Sequence, residues 1–237
     1  IAVIRLNRPD VMNALNAALR REMRAALQEA QAAARAIVIT GAGKAFCSGQ
    51  DLADAGHLAE VDFESVLRDE YEPLLQAIYD CRLPTIAAVN GVAAGAGASI
   101  AMSCDIAIAA PGASFIQAFS KIGLVPDTGG SWFLPQRLGF ARAMGLAVTG
   151  DKLSAAQAKE WGMIWDVADD SVAAATAFAE RLASMPTKAL VATRALFRDA
   201  QNRTLNQQLD EERDVQSALG HTHDYIEGVT KKKKKRP

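Results

Sequence analysis

Apolar residues in this chain fall into short unbroken runs, set between longer stretches in which they recur every three or four positions. The runs at 36–40 (AIVIT), 85–89 (TIAAV) and 105–109 (DIAIA) predict strands covered on both faces, and 1–6 (IAVIRL) and 114–116 predict two more. Leu19, Met23, Ala26, Leu27 and Ala30 keep helical spacing, which predicts a helix over 17–34 capped by Asn13 or Asn16. A second helix is expected over 63–81, ahead of Pro84, and a small apolar one from about 95–98. Beyond Gly130 the periods are helical, over about 131–149, 154–161, 172–184, 187–200 and 204–219. Strand and helix alternate through the first half, so the fold class is α/β with parallel pairing. Segments 41–52 and 53–62 read as loops, the second polar and mobile. The helix over 17–34 runs into its strand with no Gly, Pro or Asp between them, which predicts that a few connecting residues are missing there.

Composition narrows the class of protein. The 237 residues are 50% hydrophobic, enough for a sizeable core, and the net charge of −1 gives no global field for nucleic acid or a membrane surface. Cys47, Cys81 and Cys104 are too few and too irregular for a disulfide framework or a zinc site, which points to a reducing compartment. No signal peptide is visible and no apolar run reaches the ~18 residues of a membrane span, so a cytoplasmic location is expected. Ile1 already lies inside a strand pattern, and the natural start is expected upstream of it. Lysines 231–235 form a like-charge run, usually a solvated tail.

Several chemistries lack their residues. His57, His221 and His223 sit in polar settings without a carboxylate or cysteine cluster, so no metal site is expected. Ser48 lacks the nucleophile elbow of a serine hydrolase. Gly95 and Gly97 fall short of a dinucleotide fingerprint, and Gly41 to Lys44 falls short of a P-loop. Two glycine-rich loops remain, 46–52 (FCSGQDL) and 90–99 (NGVAAGAGAS), each following a strand. Their small residues let a ligand lie against the backbone, where N–H groups and a helix start favour negative charge. Each loop can aim one N–H at the same oxygen, as an enolate or tetrahedral oxyanion requires. Asp127, in 123–130 (GLVPDTGG), has two readings: a cap for the helix from about Gly130, which the residues alone favour, or a catalytic carboxylate.

Taken together, 46–52, 90–97, 123–130 and the opening LNRP…NAL at 6–15 resemble the enoyl-CoA hydratase/isomerase (crotonase) superfamily, nearly end to end and in order. The resemblance implies a spiral of ββα units over 1–190 and a helical C-terminal region over 191–237 that builds homotrimers or dimers of trimers. Within the superfamily, 118–127 (AFSKIGLVPD), 160–165 (EWGMIW) and 209–214 (LDEERD) are similar to the isomerases that act on ring-1,2-epoxyphenylacetyl-CoA in phenylacetate degradation. The implied activity converts that thioester to its oxepin form and shifts double bonds in unsaturated acyl-CoA. No cofactor is implied, since CoA is part of the substrate.

Carried over by position, the oxyanion donors are the N–H groups of Gln50 and Ala96, and Asp127 is the acid/base. Val11, Met12, Ser48, Asp51 and Leu52 are implied to lie along CoA. Gly95, Ser99 and Phe119 would line the acyl pocket, and Arg8 either meets a phosphate or closes a surface salt bridge. Hydratases of the superfamily carry glutamates where this chain has Ser99 and Phe119, which argues against water addition by two carboxylates. Lysines 231–235 depart from the superfamily, which has apolar residues there. Three alternatives remain: a general Δ3,Δ2-enoyl-CoA isomerase or hydratase-like enzyme, a non-catalytic RNA-binding relative, and a thioesterase or dehalogenase with Asp127 as nucleophile.

Overall fold

The computed structural model describes residues 1–53 and 61–234, the last four of these by backbone alone. The expectation of a mobile loop over 53–62 and the surface role of lysines 231–235 therefore fall largely outside the described residues. The chain divides into two compact units, Ile1–Arg181 and a second from Leu182 onward.

The first unit opens with β1 (Ala2–Leu6) and α1 (Ala17–Ala33). Asn16 caps α1, its side-chain oxygen accepting from the Leu19 N–H at 2.9 Å, so Asn16→Ala is expected to cost about 1 kcal/mol in a denaturant melt. The connection to β2 (Ile37–Gly41) is three residues long, Ala34 to Ala36, and opens with Ala34 in an extended conformation (φ −128°, ψ 178°). Next come β3 (Ala45–Cys47), α2 (Phe63–Val66), a π-helical turn Leu67–Tyr71 and α3 (Glu72–Tyr79). The helix expected over 63–81 is thus interrupted by that wider turn, and 41–52 is more than loop.

The chain then repeats one pattern. β4 (Thr85–Val89), β5 (Val92–Ala94) and α4 (Ala96–Ser103) are followed by β6 (Ile106–Ala109) and β7 (Ser114–Ile116). α5 (Gly130–Leu138) and α6 (Phe140–Thr149) replace the single helix expected over 131–149, which breaks at Gly139 (φ +74°). β8 (Lys152–Ser154), α7 (Ala155–Glu160), β9 (Asp166–Val167) and α8 (Ser171–Ala183) complete the order.

Successive strands feed two sheets in turn. One sheet runs β1-β2-β4-β6-β9, parallel throughout, and the other β3-β5-β7-β8, parallel except for its last pair. This is the ββα spiral. β2 and β4 are buried along their whole length, as their unbroken apolar runs predict. Leu6, Leu15, Leu27, Ile37, Phe46, Leu74, Ile86 and Ile100 are among the fully buried side chains of the core.

The second unit holds α9 (Thr187–Asp199), α10 (Leu205–Gly220) and α11 (His223–Lys234). Thr204 and Gln207 cap α10 reciprocally, and Gln208 Nε2 donates to the Leu196 carbonyl, tying α10 to α9. No helix among the described residues is long and apolar enough to cross a membrane.

Candidate active site

The two glycine-rich loops meet because each lacks side-chain bulk at the point of contact. A Cβ on Gly49 (φ +92°) would stand 2.8 Å from the Ala94 carbonyl oxygen and 3.5 Å from the Ala96 nitrogen. One on Gly97 would stand 2.2 Å from the Cys47 carbonyl oxygen, so α4 begins directly on the backbone of β3. Gly95 (φ +52°, ψ −124°) is the cap of α4 and turns the chain so that the Ala96 N–H, the first of the helix, has no intrahelical partner.

Gln50 is fixed from the other side. Leu15 N–H donates to the Gly49 carbonyl at 2.7 Å and Asp51 N–H donates to the Leu15 carbonyl at 3.1 Å. The Gly49 carbonyl and the Gln50 N–H share one trans peptide, so the N–H points away from Leu15. The structure therefore brings the loop of Gln50 against the helix start at Ala96.

Asp127 lies in the loop before α5 and meets α4 through Ser99. It is half-buried, and its burial raises the carboxyl above the ordinary aspartate range, against the lowering effect of the Thr128 hydroxyl that donates to Oδ1 at 2.9 Å. The helix-cap reading fails: the cap of α5 is Gly129, no side chain caps the helix, and Asp127 contributes only its carbonyl, which accepts from Gly130 N–H at 2.7 Å. The side chain is thus left for other work. Thr128 is held at φ +49°, a strained conformation for a β-branched residue, directly beside the carboxylate.

Ser99 is wholly buried, and its hydroxyl donates to the Asp127 carbonyl at 3.3 Å, so it steadies the loop of Asp127. Phe119 is buried with its ring facing Gly95, where a Cβ would come within 3.5 Å of Cζ. Val11, Met12 and Leu52 are exposed. Ser48 joins the first two, its N–H donating to the Met12 carbonyl at 3.0 Å and its hydroxyl to the Val11 carbonyl at 3.3 Å. Met12 and Asn13 both have positive φ (52° and 57°), and Asn13 holds that turn by donating to the Ala42 and Ala45 carbonyls. Asp51 is buried and forms a salt bridge with Arg8 at 2.7 Å.

Cys47 lies under the site, but burial pushes its thiol up to about 12, which removes it as a thiolate nucleophile at neutral pH. Among the described residues no group of His, Cys, Asp and Glu could hold a metal ion. Sequence reasoning passed over Arg20 and Tyr71, both buried behind Gln50. A signal for Arg20 existed: it stands three before Met23 and seven before Leu27, on the apolar face of α1. It also passed over Gln117, buried with both side-chain polar atoms lacking a protein partner.

The whole chain compares closely with known proteins. The Enoyl-CoA hydratase/isomerase family profile matches residues 1–237. A Rhodobacter capsulatus protein named "Probable enoyl-CoA hydratase" is 51% identical over 239 residues, covering 100% of this chain and 93% of the relative. The 1,2-epoxyphenylacetyl-CoA isomerase of Escherichia coli K12 is 44% identical over 237 residues, covering 97% and 90%. The crystal structure of an enoyl-CoA hydratase from Polaromonas sp. JS666 superimposes with a TM-score of 0.92 at 34% identity, covering 99% of this chain and 93% of that one. With a match along its full length and a crotonase-type ββα spiral beneath it, the chain belongs to the enoyl-CoA hydratase/isomerase family of acyl-CoA enzymes.

Proposed function

We propose that the protein is a CoA-thioester isomerase that converts ring-1,2-epoxyphenylacetyl-CoA to the oxepin form and moves double bonds in unsaturated acyl-CoA. The observation that carries this reading is the carboxylate inventory of the site. By the resemblance, Ser99 and Phe119 fall where hydratases of the family keep glutamates, which leaves Asp127 as the one carboxylate in the motif positions, its side chain uncommitted to the helix it precedes.

For the double-bond shift, this reading requires one proton carrier and a stabilised enolate. A thioester acidifies its α-hydrogen, and N–H donors at Gln50 and Ala96 would stabilise the enolate oxygen as the proton leaves. Asp127 takes the proton from one carbon and returns it two carbons away, a 1,3-shift that consumes no water. Phe119 over Gly95 gives the acyl group an apolar wall suited to a ring.

The test compares two substrates. The protein is expected to isomerise a 3-enoyl-CoA to the conjugated 2-enoyl-CoA and to leave crotonyl-CoA unhydrated; hydration at a comparable rate would replace this reading with the hydratase one. The same resemblance makes α9, α10 and α11 the proposed trimer contact, with Phe197, Leu205, Leu209, Tyr225 and Ile226 exposed along them. Light scattering at the mass of three or six chains is the expected result, and a monomer at working concentration would overturn it.

A further inference from the structure

We infer that Arg20 is a positioning residue for the oxyanion donor at Gln50, acting through the Gln50 side chain; this rests on the oxyanion reading of that loop. Arg20 is 4% exposed, on the face of α1 that also carries Leu19, Met23 and Leu27. A guanidinium so deeply buried costs several kcal/mol unless its donors are matched. They are matched, and the partners converge on the loop. Nη1 donates to Gln50 Oε1 at 2.8 Å and to the Leu15 carbonyl at 2.8 Å, while Nε donates to Glu70 Oε2 at 2.8 Å and Nη2 joins the same ion pair. Arg20 also lies over the Tyr71 ring, 4.6 Å from its centroid, and the Tyr71 hydroxyl donates to Gln50 Oε1.

The arrangement grips one residue from three directions. Leu15 holds the peptides on either side of Gln50, Arg20 holds Leu15, and Arg20 with Tyr71 holds the Gln50 side-chain carbonyl. The Gln50 amide nitrogen then donates to the Asp51 carbonyl at 3.2 Å, closing the loop on itself. Among the described residues no acceptor stands opposite the Gln50 backbone N–H. The π-helical turn Leu67–Tyr71 contributes by supplying two successive residues, Glu70 and Tyr71, to the same guanidinium. An oxyanion donor is effective only if it is already aimed before charge develops, so a clamp of this kind acts on the chemical step and not on CoA binding.

The test uses full-length protein and two readouts. The first is the infrared carbonyl band of bound hexanoyl-CoA carrying 13C at the thioester, which moves to lower frequency when N–H groups polarise it and needs no turnover. The second is kcat and KM for a 3-enoyl-CoA. Arg20→Met is expected to return the band toward its position in free hexanoyl-CoA and to lower kcat by about 10-fold or more, with KM within about 2-fold. Tyr71→Phe, which keeps the ring and removes one hydrogen bond, is expected to do the same to a smaller extent.

In a Gln50→Met background the Arg20→Met change is expected to add little, because both act through one contact. A wild-type band in Arg20→Met and Tyr71→Phe, or full multiplication of effects in the double variant, would overturn the inference. An unshifted band in the wild-type protein would sink the oxyanion reading and this inference with it. A shifted band without isomerisation would sink only the acid/base reading and leave the clamp standing.

Discussion

Asp127→Asn is expected to lower isomerisation of a 3-enoyl-CoA by about 10²-fold or more while the acyl-CoA still binds. The amide keeps the shape of the carboxyl and can still accept from Thr128 Oγ1, but it cannot carry the proton between two carbons. An equally active variant would place the acid/base elsewhere. The pH dependence has a defined sign. Burial raises the Asp127 carboxyl, and the base form starts the reaction, so kcat/KM should fall as pH drops through a value above the ordinary aspartate range.

Stability should move the other way. A carboxyl whose pKa is raised on folding stabilises the folded state when protonated, and that contribution is lost as pH rises through the raised value. At neutral pH the ionised group is therefore a burden on the fold. Asp127→Asn is expected to raise Tm slightly while removing activity, the usual exchange at a site held for chemistry.

Gly97→Ala is expected to destabilise the protein by about 3 kcal/mol or more, because overpacking here meets backbone. A new Cβ would lie 2.2 Å from the Cys47 carbonyl oxygen and 2.8 Å from the Cys47 Cβ, and neither can swing aside as a flexible side chain can. Relief requires α4 to lift from β3, which moves Ala96 away from Gly49 and opens the gap where the thioester oxygen is proposed to sit. A thermal melt should show a loss of roughly 10 °C. Gly112→Ala is the matched control, since nothing lies within 4 Å of its Cβ position, and it should change stability by no more than about 0.5 kcal/mol. If Gly97→Ala melts like the control, the contact between α4 and β3 is looser than described.

The parts of the fold that are legible in the sequence are those written in runs of apolar residues. β2, β4 and β6 lie within a residue of their predicted positions because burial on both faces demands unbroken Ile, Val and Ala. β3 and β5 are not legible. Each is three residues long and sits among glycines that read as loop, and they pair with each other across about 45 residues of sequence. The break at Gly139 and the π-helical turn escape for a related reason: a helical period continues across both.

For the site, Gly95, Gly97 and Asp127 stand out as residue types, but their meaning depends on neighbours far along the chain. Asp127 preceded by proline and followed by glycines looks like a cap until Gly129 is seen to fill that place. Arg20 looks like one more charge on an amphipathic helix until Glu70, Tyr71 and Gln50 are brought to it across the chain.

The alternation of strands between two sheets also bears on how the chain reaches this state. Ala2 pairs with Ile37, Ile37 with Thr85 and Ile108 with Asp166, so the parallel sheet is made of partners distant in sequence. Such a topology has high contact order: loops must close before any pairing repays them, and folding is slow. The walls proposed for catalysis come from Val11, Gln50, Ala96, Phe119 and Asp127, so no early fragment holds the whole site. Until β7 and α5 have docked, β5 and the apolar start of α4 stay uncovered, and that interval is when the protein is most exposed to aggregation.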